Sequence, residues 1–427
     1  MSAAAAMFAL AAGAVFGVDI SVPDRSDRGT LVTAPNRASS PKPQDPQELE
    51  QWRMTQAQQA LEANASALLD ENKTAWLSLY DEPIQADLGR RFDSLHTMQV
   101  SQFEYQFIDE APDAKDDGTF ELRLAANYCL GGVPADDCDR TSIFFDTSWS
   151  DSASQLRITE VDESHERGPR PWEVTALEAV SDARTIVAAP PEYAHRLDEM
   201  LPMAEEAARN ADKYARFGQV DRYIFYLAGD EEFDHWYGLE KSSSLASAFM
   251  VPLTQARADG QSVPGGANVV VNQDKIANAQ DFRTTLRHEA AHVVLDHEAP
   301  VHDRQPEEWW LSEGMAELVQ HGHDTDVSQY LRMSDVREYV SSGGWDGSFT
   351  EVTDSDEAAA ASAKYGIAFY GTYYLYTEYG DDEFMDFFEQ VARNGVAADT
   401  ASRDVFGRSY QQVESEMAEF VHATVSA

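Results

Sequence analysis

The sequence predicts an α+β protein in two parts: a small module of helices followed by antiparallel strands, then a larger, mostly helical part holding a small mixed sheet. Three observations carry this. Residues 47–80 have apolar side chains at helical spacing, through Trp52, Ala60, Leu61, Leu68, Leu69, Trp76 and Leu79. Four strand-like runs follow, and the first two alternate at Phe103, Tyr105 and Phe107 and at Phe120, Leu122 and Leu124. The pattern then changes across Glu166-Arg167-Gly168-Pro169-Arg170-Pro171, whose prolines and glycine mark a boundary between residues 47–165 and 171–427.

Residues 1–18 carry Ala, Phe, Leu, Met and Val with no charge, and a proline-rich stretch follows. That pattern fits a signal peptide or a single N-terminal membrane anchor, with residues 19–46 as a flexible linker. A second helix is expected at 84–95, and the four strands at 99–108, 119–128, 142–147 and 155–161. Past the boundary the expected elements are a helix at 194–217 and strands at 223–228, 247–251 and 268–272. A helix at 281–297 and another starting near Glu307 or Trp309 come next, then C-terminal helices at 365–379, 382–394 and 409–425. The element order of 47–165 resembles the NTF2-like cone fold, in which helices pack into a curved sheet. That resemblance implies a binding or interaction module.

Composition limits the function. The chain of 427 residues is 43% hydrophobic and 11% aromatic, which is globular, and its net charge is -43. Such a surface disfavours nucleic acid, whose phosphates need Lys and Arg to neutralise them, and it disfavours anionic lipid. The only cysteines, Cys129 and Cys138, lack the C-x-x-C neighbours of a cysteine zinc site. They fit a short-loop disulfide if the protein is extracellular or held at the cell surface.

The most informative segment is His288-Glu289-Ala290-Ala291-His292. On a helix, histidines four apart share a face and can grip one zinc ion, with the Glu between them beside the reacting water. Zinc needs a third protein ligand and an open position. The pattern H-E-x-x-H-x-x-G-x-x-H is excluded, because Leu295 holds the glycine position and Glu298 the third histidine position. His297 and His302 fit no familiar spacing. Glu313 lies in Trp309-Trp310-Leu311-Ser312-Glu313-Gly314-Met315-Ala316-Glu317, far enough on for a turn and a returning helix.

These two motifs together resemble the gluzincin metallopeptidases of clan MA, and in particular the peptidase MA-like proteins with their W-L-x-E-G-x-A-E signature. The resemblance implies a zincin-like domain over 171–427 binding one Zn2+ per chain through His288, His292 and Glu313. It implies that Glu289 is the general base for a zinc-activated water that hydrolyses peptide bonds, in peptide or protein substrates. It also gives Glu317, one turn after Glu313, the task of receiving a ligand imidazole N–H and fixing its tautomer. A donor to the developing oxyanion is still needed. Tyr365, Tyr370, His321 and His323 are candidates, with Tyr365 carried forward as the catalytic tyrosine. The alternative reading is a catalytically silent peptidase-like scaffold that acts as a cell-surface binding or assembly protein. Residues 247–251 offer a strand edge on which an extended peptide could pair.

Overall fold

Helix α1 (Pro46–Leu69) starts where Asp45 accepts hydrogen bonds from the Gln47 and Glu48 amides, with Pro46 pre-set for the first turn. The structure, a computed structural model, describes residues 42–426 except 110, 116–117, 135–137, 152–155, 166, 239–245, 258–261, 301, 303–304, 324–325 and 354. The expected segment at 1–18 lies outside the described residues, as does all but the end of the linker. Among the described residues no helix is long and apolar enough to cross a membrane.

The single helical run read at 47–80 is two helices. Glu71 takes a left-handed φ of 57°, and Asn72 then caps α2 (Lys73–Leu77) by accepting from the Ala75 amide. Helix α3 (Gln85–Thr97) follows. The first sheet comprises β1 (Gln102–Phe107), β2 (Asp113–Ala114), β3 (Thr119–Cys129), β4 (Thr141–Ser150) and β5 (Arg157–Val161). It is antiparallel in the order β1-β3-β4-β5, with β2 added on β3. Phe120, Leu122 and Leu124 point inward, as their alternation requires. Cys129, at the end of β3, is bridged to Cys138 just before β4.

After α4 (Pro171–Val174) come β6 (Glu178–Ser181), β7 (Thr185–Ala189), α5 (Leu197–Ala211), β8 (Tyr223–Ala228), α6 (Asp230–His235), β9 (Ala248–Ala256) and β10 (Ser262–Asn272). The second sheet runs β6-β7-β8-β10-β9. Its β7–β8 and β8–β10 pairs are parallel, and its two outer pairs antiparallel. Both faces are covered. Val187, Phe225, Met250, Val269 and Val271 pack in one core with α5 and with α7 (Ala279–Leu295). Ile186, Tyr226, Phe249, Val251 and Val270 share the other core with Trp76, Leu124, Phe145 and Trp172. Burial on both faces explains the unbroken Val269-Val270-Val271 run.

The remaining helices are α8 (Glu308–His321), α9 (Met333–Ser341), α10 (Ala358–Tyr379), α11 (Asp381–Phe388), α12 (Ala398–Phe406) and α13 (Tyr410–Ser426). The fold is α+β. Helices α8 and α10 meet at Gly314, where a Cβ would come within 2.2 Å of Thr372 Oγ1 and 2.4 Å of the Ala368 carbonyl oxygen. Gly314→Ala must push backbone apart, with an expected loss of about 1–3 kcal/mol in urea unfolding. A midpoint equal to wild type would mean that α10 yields freely.

Candidate metal centre

Helix α7 is started by Asn278, whose side chain accepts from the Gln280 and Asp281 amides. At its other end Arg393 donates to the carbonyls of Leu295 and, at 2.8 Å, His297. The helix is thus fixed at both ends, and α8 packs beside it. Three predicted ligands meet in the space between them. His288 Nε2 lies 3.2 Å from His292 Nε2. Glu313 Oε2 lies 3.0 Å from the first and 3.5 Å from the second. All three side chains are buried.

These atoms form a group that could hold a metal ion. Two nitrogen or oxygen ligands on one tetrahedral zinc, with bonds near 2.0–2.1 Å, sit about 3.3 Å apart, and the three separations straddle that value. Glu313 Oε1 is buried and receives no hydrogen bond among the described residues, so it is available to a cation. Electrostatics agree. Burial alone would raise the Glu313 carboxyl, but the two imidazoles hold it down at about 2. Burial would lower His292, yet Glu313 and Glu289 pull it up to about 9, while burial leaves His288 lowered. The carboxylates draw a proton onto His292, and a metal cation would meet the same demand for positive charge.

Glu289, on the same helix as the two histidines, is 2% exposed. Burial pushes its carboxyl up to about 8, with His292 pulling the other way and Glu313 adding to the rise. It accepts a hydrogen bond from the backbone amide of Met250, on β9, which is the outer strand of the second sheet.

Glu317 is fully buried one turn after Glu313. Its Oε1 is 3.9 Å from His288 Nδ1, beyond hydrogen-bond length. Its near partners are others: Tyr330 donates at 2.7 Å and Arg332 Nε at 3.2 Å, and His321 Nε2 lies at 3.4 Å. Arg332 also donates to Ser362 Oγ at 3.2 Å, and Ser362 to Asp335 at 2.6 Å. Its guanidinium lies 5.3 Å from the Tyr365 ring centre. Tyr330 and Arg332 were not legible as site residues, because nothing in their local pattern sets them apart from a polar surface turn.

Tyr365 is buried on α10 with its ring 6.3 Å from that of His288 and 5.3 Å from that of Trp309. Burial, then Glu313, raises its hydroxyl well above 10, so it stays a proton donor. The other three candidates are engaged elsewhere. Tyr370 donates to the Val327 carbonyl at 3.0 Å, His321 sits against Glu317, and His323 Nδ1 lies 3.4 Å from the Tyr214 hydroxyl. His297, set aside as a ligand of the main group, instead faces Asp139 at 3.6 Å. A cavity of about 450 Å³ is lined in part by Val293, Asp296, Trp309 and Ser312, sequence neighbours of the group, though not by His288, Glu289, His292 or Glu313 themselves.

No known family profile matches this chain, and no curated protein matches it. Among solved structures, yeast LTA4 hydrolase in complex with bestatin is similar at 11% identity and a TM-score of 0.34, over 77% of this chain and 58% of that one. The chain thus spans little more than half the length of that protein. A likeness at this level fixes neither fold nor activity. What the geometry itself establishes is a buried group, His288, His292 and Glu313, able to hold a metal ion.

Proposed function

We propose that this protein is a zinc-dependent peptidase of the gluzincin type, with a zincin-like part following the N-terminal module. The observation that carries the reading is the spacing of His288, His292 and Glu313, at 3.0, 3.2 and 3.5 Å, with Glu289 on the same helix. Zinc bound by these three residues would supply Lewis acidity toward the scissile carbonyl. Glu289 takes the proton of the attacking water and gives it to the leaving amine. Tyr365 donates from its hydroxyl to the oxygen on which negative charge develops. Glu317, braced by Tyr330 and Arg332, sets the electrostatics behind His288. The outer edge of β9, beside Glu289, offers backbone groups for an extended peptide. The Cys129–Cys138 bridge supports an extracellular or cell-surface setting.

The test is cleavage of a mixed peptide library with and without a chelator. Hydrolysis is expected to stop on metal removal and to return when zinc is added back. Hydrolysis indifferent to the chelator, or none from the zinc-loaded protein, would contradict the reading.

A further inference from the structure

The edge of β9 is open only in part. Beside the centre, the Met250 amide is used by Glu289, and Pro252 has no amide hydrogen to offer. Two residues further on, the Thr254 carbonyl accepts from Thr141 Oγ1 at 3.4 Å. After another two, the Ala256 amide donates to Ser142 Oγ at 2.7 Å. Thr141 and Ser142 are the first residues of β4, so the N-terminal sheet closes this edge from Thr254 onward. A strand laid on β9 next to Glu289 finds neither of those two amides to pair with, and from Thr254 onward it meets β4.

The cavity of about 450 Å³ lies at this blocked end. Part of its lining is Pro252 to Thr254 together with Trp309 and Val293, the residue after His292. Other lining residues come from the N-terminal module, Cys129, Cys138 and Asp139, and from the boundary segment, Arg167. The disulfide joins the end of β3 to the residues leading into β4, so it fixes that wall where the strand edge ends. The size suits a small ligand or a short peptide end, not a through-running chain.

We propose that the N-terminal module forms the closed end of the substrate cleft, so that the protein cleaves peptides only within a few residues of one chain end. The inference rests on the peptidase reading above and deepens it. The module is then a measuring wall: a peptide end enters the cavity, and the bond that reaches Glu289 is set by how far the chain runs before β4 stops it. A long chain, or an internal loop of a folded protein, cannot pass Thr254 and does not reach the centre.

Two series of internally quenched peptides sharing one cleaved core provide the test. One series is lengthened stepwise at its N-terminal end, the other at its C-terminal end. In one series kcat/KM is expected to fall by about tenfold or more once the extension outgrows the cavity, while the other stays level. The series that falls identifies which end the cavity receives. In the variant Cys129→Ser/Cys138→Ser, the ratio of short-peptide to long-peptide turnover is expected to drop, because the wall is no longer tied to β3. Equal turnover at all lengths in both series overturns the inference while leaving the peptidase reading intact, and an unchanged ratio in the double variant removes the disulfide from it. Failure to cut even the shortest peptides overturns the peptidase reading, and this inference with it.

Discussion

Replacing Glu289 by glutamine is expected to lower kcat/KM for any cleaved peptide by about 10²–10⁴-fold, the range that a positioned general base supplies, with zinc still bound. The substitution keeps the shape of the side chain and an oxygen that can accept the Met250 amide, and it removes only the basic carboxylate. The atoms that could hold a metal belong to His288, His292 and Glu313, not to Glu289, so metal content is expected to match wild type. Folding is expected to survive as well. Burial already raises the Glu289 carboxyl to about 8, above its usual value of 4.5, so its protonated form is the one the fold favours. A raised folded-state value contributes stability that is complete below about 4.5 and is lost as pH climbs through about 8. A neutral isostere therefore removes no stabilising charge at neutral pH. Steady-state kinetics with metal analysis of the same samples checks this, and wild-type turnover in Glu289→Gln would exclude Glu289 as the base.

Arg332→Met is expected to destabilise the protein by about 3–5 kcal/mol, the usual effect of leaving one partner of a buried ion pair uncompensated. Arg332 is 1% exposed and Glu317 0%. Burial opposes the charge on Glu317, and Arg332 is the first of the groups that nonetheless hold its carboxyl far below the usual range. Without the guanidinium, Glu317 retains the Tyr330 hydroxyl and His321, neither of which is a permanent cation. The loss also reaches the centre, since Arg332 lies over Tyr365 and Glu317 lies behind His288. Zinc affinity is expected to weaken by about 10–100-fold, as when supporting residues behind metal ligands are altered. Urea unfolding and zinc titration of wild type, Arg332→Met and Arg332→Lys separate charge from shape. A stability change below about 1 kcal/mol would fit only a solvated ion pair and would contradict this account.

The candidate metal group was legible in the sequence because its spacing is local. Two histidines at i and i+4 on α7 need only a helix to share a face, and Glu313 needs only one helical return. Glu317 was legible as to position, one turn after Glu313, but its surroundings were not. Tyr330 and Arg332 reach it from outside α8, and no local periodicity records that contact. The first sheet was readable from its alternation. In the second sheet, β6 passed unnoticed because it is only four residues long, and β7 because it is short and buried throughout. Strand β10 was read as 268–272 but begins at Ser262. Its first half holds Pro264, Gly265 and Gly266, which read as a turn, and the ladder shifts register between Pro264 and Ala267. The closure of β9 by Thr141 and Ser142 depends on how two sheets meet, which no single segment encodes.

The most direct measurement of the central claim is the zinc content of purified wild-type protein and Glu313→Gln, determined side by side by elemental analysis after exhaustive dialysis. About one zinc per chain is expected in wild type and a large loss in the variant, because Glu313 faces both imidazoles. No bound metal in wild type, or equal zinc in the two proteins, would contradict it.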